Sequence, residues 1–329
     1  MYMLLYMEKK IILLSLAPYR VMPEFKAQLE AAGENREVLI TQEPADIKPF
    51  LQRIEIGMGD IPHTMIADMK NFKWWQLWSA GADILERFPT LKELPFQLST
   101  TSGIHGQQIA EHLFAMLLSR NRCLKEASAA QRRHEWLFIK DYQLEILEKK
   151  TMLILGFGAI GETIARIAAS FGVRVIGLRR NPVNNENSGV FLIAPSAKLH
   201  EFLPQSDYVV NILPSTAESH HLFGKAEFDL MKKSSLYINI GRGATTCETD
   251  LISALTEKRI SGALLDVAEE EPLPDNSPLW DMDNVTITGH YAGCRPDYSR
   301  LAMAVALENL EHYKHGEPLK NFVDKNKGY

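Results

Sequence analysis

Three polar residues stand just after strand-like apolar runs, where their side chains could act together in catalysis. The residues and the runs that they follow are Arg242 after Leu236–Ile240, Glu271 after Ala263–Val267, and His290 after Val285–Thr288. Histidine exchanges protons near neutral pH, a neighbouring carboxylate favours its charged form, and arginine binds carboxylates and polarises carbonyls. Each residue also has a structural alternative: a helix-capping arginine, an exposed glutamate within Glu269–Glu271, and a satisfied core histidine.

A glycine-rich turn earlier in the chain has the pattern G-x-G-x-x-G and directly follows the apolar run Met152–Leu155. Its residues are Gly156, Phe157, Gly158, Ala159, Ile160 and Gly161. The first glycine allows a tight turn, the second lets the backbone approach a pyrophosphate, and the third lets helix and strand pack closely. The alternative is an ordinary structural turn. The strand before it and the predicted helix after it favour a dinucleotide site.

The end of the following strand indicates which dinucleotide binds. An acidic residue for a ribose 2′-hydroxyl is expected about 20 residues after the first glycine. Here Arg179 lies 23 residues after Gly156 and is followed by Arg180, and no acidic residue occurs between Val173 and Val183. Guanidinium groups bind a 2′-phosphate that a carboxylate would repel. The sequence therefore predicts NADP, with NAD possible, and two solvated surface arginines are the alternative.

The elements that must position these residues alternate between apolar strands and helices, which predicts parallel sheets covered on both faces. In the first part of the chain the predicted strands are Ile11–Leu16, Val38–Thr41, Ile54–Gly57 and Asn71–Trp78. In the second part they are Met152–Leu155, Val173–Leu178, Tyr208–Leu213, Leu236–Ile240, Ala263–Val267 and Val285–Thr288. The predicted helices are Pro23–Ala32, a long one between Gly103 and Leu124, one after the glycine turn with Ile160, Ile164, Ile167, Ala168 and Phe171 buried, and Ser299–His312. These patterns predict two α/β domains.

Composition limits the class of protein. A chain of 329 residues with 46% apolar and 23% charged residues favours a two-domain globular protein, which needs no disulfide or metal for stability. A net charge of −5 predicts no nucleic-acid surface. Three scattered cysteines predict no disulfide, no metal site and a reducing cytoplasm. The charged residues Glu8–Lys10 argue against a signal peptide, Met7 is expected to be the natural first residue, and no apolar run reaches the length of a membrane span.

Three segments carry a resemblance to a known family. They are Asn239–Gly243, Leu265–Pro274 and Thr288–Gly293. They resemble the three signature blocks of the D-2-hydroxyacid dehydrogenases, and the similarity extends from Gly57 to Asp324. Within that family the chain is similar to the glyoxylate/hydroxypyruvate reductase branch. One departure is Gly289, where family members usually have proline before the histidine, which predicts a less rigid loop.

The resemblance implies roles for individual residues. Arg242 is the expected substrate-binding arginine, His290 the acid/base, which also contacts substrate, and Glu271 its partner. Backbone amides at Ala80, Gly81 and Ala82 are expected to hold the substrate carboxylate. The positions expected near the nicotinamide half of the cofactor are Pro214, Ile240 and Asp266, and Leu213 is also expected to bind the cofactor.

The resemblance also implies an organisation and a reaction. It implies a substrate domain of residues 1–102 and 295–329, a dinucleotide-binding domain of residues 103–294, both Rossmann- or flavodoxin-like, and a cleft between them. A homodimer is implied as well. The expected reaction is reversible, NADPH-dependent reduction of a small 2-keto acid, of the glyoxylate, hydroxypyruvate or pyruvate class, to the D-2-hydroxy acid.

Two other functions stay open at the level of sequence. One is an NAD-linked dehydrogenase of a phosphorylated hydroxy acid, which should carry an acidic residue near position 179. The other is a non-catalytic, nucleotide-sensing corepressor that keeps the dehydrogenase fold. The presence of Arg242, Glu271 and His290 together argues against the corepressor.

Overall fold

The computed structural model describes residues 8–182 and 190–328. Its strands, in chain order, are β1 (Ile11–Ser15), β2 (Glu37–Ile40), β3 (Ile54–Gly59), β4 (Trp74–Gln76), β5 (Gln97–Ser99), β6 (Thr151–Leu155), β7 (Arg174–Arg179), β8 (Leu192–Pro195), β9 (Tyr208–Asn211), β10 (Leu236–Asn239), β11 (Gly262–Leu265) and β12 (Val285–Ile287). The helices are α1 (Phe25–Ala32), α2 (Pro44–Ile47), α3 (His63–Ile66), α4 (Ile84–Arg87), α5 (Gly106–Asn121), α6 (Leu124–Arg132), α7 (Ala159–Ser170), α8 (Leu199–Phe202), α9 (Lys225–Leu230), α10 (Glu248–Thr256) and α11 (Tyr298–His315). The expectation for Met7 lies outside the described residues.

The chain divides into two compact units. The first takes residues up to Ile104 and from Arg295 onward, and the second is His105–Cys294. The sequence-based domain boundaries lie within two residues of these positions. No helix among the described residues is long and apolar enough to cross a membrane.

The first unit is built on a five-stranded parallel sheet in the order β2-β1-β3-β4-β5. This order is that of flavodoxin-like sheets. All five residues of β1, next to the middle of the sheet, are buried, as expected for a parallel strand that is covered on both faces. One buried cluster contains Trp75, and the other contains Trp74 and the inner face of α11.

The second unit is built on a seven-stranded parallel sheet in the order β12-β11-β10-β9-β6-β7-β8. Counted within the unit, this is the doubly wound dinucleotide-binding order with one strand added. The strand order reverses between β6 and β9, which is the switch point at which such sheets bind ligands. Asn239 pairs with Leu265, and Leu265 with Ile287, so the strands that carry the predicted catalytic residues end at one level.

The predicted fold class of two parallel α/β units is confirmed, and the errors lie in element lengths. The strand predicted over Asn71–Trp78 is only Trp74–Gln76, and the short strands β5 and β8 were not predicted. The helix predicted to reach Leu124 ends at Asn121 because Cys123 adopts a left-handed conformation, with φ of 52°. Leu124 therefore starts a separate helix and is 54% exposed. Phe171, predicted to be buried, follows the end of α7 and is 40% exposed.

Candidate active site

The glycine turn joins β6 to α7 at the switch point of the second sheet. Gly156 has φ of +87°, and a Cβ there would lie 3.0 Å from the Ile212 carbonyl oxygen, so only glycine suits this turn. A Cβ at Gly158 would meet nothing closer than 3.9 Å, which leaves open space beside the helix start. At Gly161 it would lie 3.0 Å from the Phe157 ring, so this glycine allows close packing of α7 on the sheet.

The backbone around Gly158 is suited to an anion. Among the described residues, the N–H groups of Gly158, Ala159 and Ile160 donate to no protein acceptor. These groups point out of the positive end of α7, which is where pyrophosphates bind on such sheets. The open space and the available donors together fit a dinucleotide.

The other predicted cofactor residues differ in burial and therefore in which of their groups a cofactor could contact. The side chains of Phe157 and Ile240 are buried in the core of the unit, so each can meet a cofactor only through its backbone. Leu213 is half-buried, with its N–H bound to the Asn211 side chain at 3.1 Å, and Pro214 is exposed. Contact between these four residues and a cofactor stays a prediction.

The two arginines after β7 are not equivalent. Arg179 is the last residue of β7 and is half-buried. Arg180 is exposed and forms an ion pair with Glu218, on the segment that follows β9. A 2′-phosphate would have to compete with that carboxylate for Arg180, which makes Arg179 the stronger candidate for binding it.

Arg242 lies on a tight turn after β10. Its carbonyl oxygen accepts hydrogen bonds from the Asn239 side chain at 3.2 Å and the Thr245 hydroxyl at 2.6 Å. Its guanidinium donates to the Gly241 carbonyl oxygen at 2.8 Å. The backbone of this residue is therefore fixed, and its side chain is half-buried. A guanidinium is the side-chain group best suited to two-point binding of a carboxylate.

His290 and Glu271 form a hydrogen-bonded pair, with Nδ1 of the imidazole 2.6 Å from Oε2 of the carboxylate. This bond raises the pKa of His290, against partial burial and the Arg242 charge. Partial burial acts to raise the pKa of Glu271, but the bond to His290 and the charges of His290 and Arg242 lower it on balance. The pair thus favours imidazolium and carboxylate, and Arg242 lies close enough to act on both.

The loop that carries His290 is anchored by Asp266, which is 2% exposed. The His290 N–H donates to the Asp266 carbonyl oxygen at 2.7 Å, and the Asp266 carboxylate accepts from the N–H groups of Tyr291 and Ala292. The Thr288 hydroxyl also donates to this carboxylate, at 2.6 Å. These bonds hold the loop although Gly289 replaces the usual proline. The predicted contact of Asp266 with a cofactor stays a prediction.

The predicted carboxylate-binding loop lies in the first unit, directly after β4. It is held by the Ser79 carbonyl oxygen, which accepts from the N–H and the hydroxyl of Thr101. Within the described part of the chain, the N–H groups of Ala80, Gly81 and Ala82 donate to no protein acceptor. Three successive unbonded N–H groups are suited to an anion, and binding of the substrate carboxylate by this loop stays a prediction.

Sequence reasoning missed His112 and Glu269. His112 contacts the Thr288 hydroxyl at 2.9 Å, and so supports the side chain that binds Asp266. Glu269, one of three successive glutamates, binds the start of α10 and His221. Nothing in the local sequence separates Glu269 from Glu270, because the distinction depends on contacts with distant elements.

The family follows from comparison with known proteins. The model of the D-isomer specific 2-hydroxyacid dehydrogenase NAD-binding domain matches residues 114–292, which is more than half of the chain. The chain belongs to the D-isomer specific 2-hydroxyacid dehydrogenase family. It is therefore an NAD(P)-dependent oxidoreductase.

Relatives of this dehydrogenase lie in the glyoxylate/hydroxypyruvate reductase branch. It is 36% identical to a glyoxylate reductase of Aeropyrum pernix over 242 residues, which is 70% of each chain. It is also 36% identical to glyoxylate/hydroxypyruvate reductase B of Enterobacter sp. strain 638 over 236 residues, 71% of this chain and 70% of the relative.

A solved structure extends the similarity to nearly the whole dehydrogenase. The NADPH-dependent glyoxylate/hydroxypyruvate reductase of Sinorhizobium meliloti, in complex with NADP and sulfate, matches with a TM-score of 0.83 at 28% identity. The match covers 98% of this chain and 100% of that one. The recognition of the family and branch from sequence is thereby confirmed.

Proposed function

We propose that this dehydrogenase reduces a small 2-keto acid, of the glyoxylate, hydroxypyruvate or pyruvate class, to the D-2-hydroxy acid with NADPH. The observation that carries the proposal is the His290–Glu271 pair beside Arg242, at the strand ends of a dinucleotide-binding sheet. The similarity to reductases of glyoxylate and hydroxypyruvate supports the substrate class.

The proposed roles follow from the geometry of each group. Arg242 binds the substrate carboxylate and polarises the neighbouring carbonyl. Since Nδ1 of His290 faces Glu271, Nε2 is the nitrogen that donates a proton to the carbonyl oxygen. Glu271 keeps the imidazole charged and oriented for that transfer. In the reverse direction neutral His290 accepts the proton from the hydroxyl group.

NADPH supplies the hydride when it is bound. The N–H groups of residues 158–160 and the start of α7 would hold its pyrophosphate, and Arg179 its 2′-phosphate. The NADP complexes of similar structures support this preference over NAD, which remains a possible cofactor. In the first unit, the N–H groups of Ala80–Ala82 are proposed to bind a substrate carboxylate, as the family resemblance implies.

A spectrophotometric screen tests the proposal. NADPH oxidation is followed with glyoxylate, hydroxypyruvate, pyruvate and longer 2-keto acids, NADH is used as the comparison cofactor, and the product is resolved by chiral chromatography. The proposal predicts a preference for the short acids, for NADPH and for the D product. Turnover restricted to phosphorylated hydroxy acids with NAD, or no turnover with any acid, would contradict it.

The cytoplasmic location that the cysteine usage predicts stays a prediction.

We also propose that the enzyme is a homodimer. Three aromatic side chains after α6 are at least 80% exposed: Trp136, Phe138 and Tyr142. Large aromatic side chains with this much exposure, so close together in the sequence, are suited to an interface. Sedimentation equilibrium should give twice the chain mass, and W136A/F138A should give monomer. A wild-type monomer at micromolar concentration would contradict the dimer.

A further inference from the structure

Glu269 lies on the loop between Asp266 and Glu271 and is bound on two sides. Its Oε1 lies 2.5 Å from Nε2 of His221, which precedes α9. Its Oε2 accepts from the N–H of Glu248 at 3.0 Å, and its own N–H donates to the Glu248 carboxylate at 3.3 Å. We call these three residues the clasp. The reciprocal bonds tie both the backbone and the side chain of Glu269 to the start of α10.

The clasp holds the loop of Glu271 against the turn of Arg242. A Cβ at Gly243 would lie 1.8 Å from the Ala268 carbonyl oxygen and 2.6 Å from the Glu269 nitrogen, so the two backbones are in direct contact there. On the same loop, the Ala268 N–H donates to Oε1 of Glu271 at 3.2 Å. A shift of Ala268 and Glu269 would therefore move the carboxylate that binds His290.

We propose that Glu269 is a positioning residue, which fixes the Glu271 carboxylate at hydrogen-bonding distance from His290 through the clasp. This inference rests on the proposed function for its kinetic consequences but not for its structural ones. The charged groups that act on the His290 pKa are Glu271, Arg242 and Asp266. Glu269 binds His221 and the Glu248 N–H instead of the imidazole, so its influence on His290 should pass through the position of the loop.

A purely structural role is the alternative. The side chains of His221 and Glu269 are 37% and 36% exposed, and polar contacts between side chains of that exposure contribute little to stability on their own. If the role of Glu269 were purely structural, its loss would lower the melting temperature and leave the pKa of His290 unchanged. If Glu269 is a positioning residue, its loss changes the pKa of His290.

The experiment measures the His290 pKa by NMR of histidine-labelled full-length protein, with His290→Gln used to assign the signal. Glu269→Ala removes every side-chain contact, Glu269→Gln removes the same charge but keeps an acceptor for the Glu248 N–H, and Glu270→Ala is the control on the neighbouring glutamate. Positioning predicts a fall in the His290 pKa in Glu269→Ala, a smaller fall in Glu269→Gln and none in Glu270→Ala. Equal falls in the alanine and glutamine variants, or none in either, would overturn the proposal.

Kinetics supply the second readout. Glu269→Ala should lower kcat about tenfold to a hundredfold, the range for a misplaced catalytic group, with the KM for NADPH unchanged. If that variant does not fold, His221→Ala replaces it: a lowered His290 pKa supports the clasp, and an unchanged one overturns it. Because the NMR titration needs no substrate, it tests the clasp even if the wild-type enzyme reduces none of the proposed keto acids.

Discussion

Glu271 and His290 are 19 residues apart in the chain, yet their side chains lie 2.6 Å apart because they follow neighbouring parallel strands of one sheet. The register that pairs Leu265 with Ile287 ends β11 and β12 at the same level. The two following loops, fastened together by Asp266, then bring carboxylate and imidazole into contact. The proposed proton transfer by His290 depends on this contact.

Glu271→Gln should make reduction more sensitive to rising pH. Reduction needs charged His290, and the hydrogen bond with Glu271 raises its pKa above the ordinary value of 6.5. Without the carboxylate the pKa falls, so the loss of kcat with rising pH should begin at a lower pH than in the wild type. The rate of hydroxy-acid oxidation rises with pH as His290 becomes neutral, and in the variant this rise should begin at a lower pH. Initial rates from pH 5 to 9 in both directions measure this, and unchanged profiles would exclude the role of Glu271.

His290→Gln should lower kcat by about two to four orders of magnitude, because no group then exchanges a proton with the substrate oxygen. Binding of NADPH, measured by fluorescence titration, should stay near the wild-type value since His290 is not among the residues proposed to hold it. Near-normal turnover would refute the acid/base role.

Arg179→Asp should lower the ratio of kcat/KM for NADPH over NADH by roughly one to two orders of magnitude, the cost of losing a charge-assisted hydrogen bond. Arg180→Asp is the matched comparison, and a smaller effect is expected there because Arg180 pairs with Glu218. Steady-state kinetics with both cofactors measure the ratio. Equal effects of the two substitutions would contradict the difference proposed between Arg179 and Arg180. An unchanged ratio in Arg179→Asp would exclude Arg179 from the 2′-phosphate site.

Gly158→Val should weaken NADPH binding at least about tenfold while leaving the melting temperature nearly unchanged. The new side chain meets no protein atom closer than 3.9 Å to its Cβ, but it occupies the space beside the helix start that a pyrophosphate needs. Isothermal titration calorimetry and thermal unfolding are the two measurements. Unchanged NADPH affinity would place the pyrophosphate elsewhere.

Gly289→Ala should raise the free energy of unfolding by about 0.4–1 kcal/mol, because alanine restricts the unfolded chain more than glycine does. Its Cβ would have no neighbour within 4 Å, and the residue is not in the left-handed region. Chemical denaturation measures the change, and turnover should stay within twofold of the wild type. A destabilised variant would show that the His290 loop needs the freedom of glycine.

The sequence by itself determined the apolar strands, the order of strands and helices in the second unit, and the glycine turn. These features depend on local patterns: runs of buried residues, the helix period and conformations that only glycine tolerates. It also predicted that Arg242, Glu271 and His290 lie at one sheet edge, because each follows a strand, and the family resemblance supplied their proposed roles. The short strands β5 and β8 escaped prediction because their pairing, rather than their own residues, makes them strands.

Only the tertiary structure decided which groups Asp266 and Glu269 bind and how Arg179 and Arg180 differ. The sequence does not show which group a carboxylate binds. In the structure Asp266 accepts hydrogen bonds from the His290 loop, and Glu269 accepts one from the start of α10. Arg180 likewise differs from Arg179 through Glu218, which lies 38 residues away in the chain. Hydrogen bonds between distant segments depend on how strands pair and where loops end, and no local pattern specifies that.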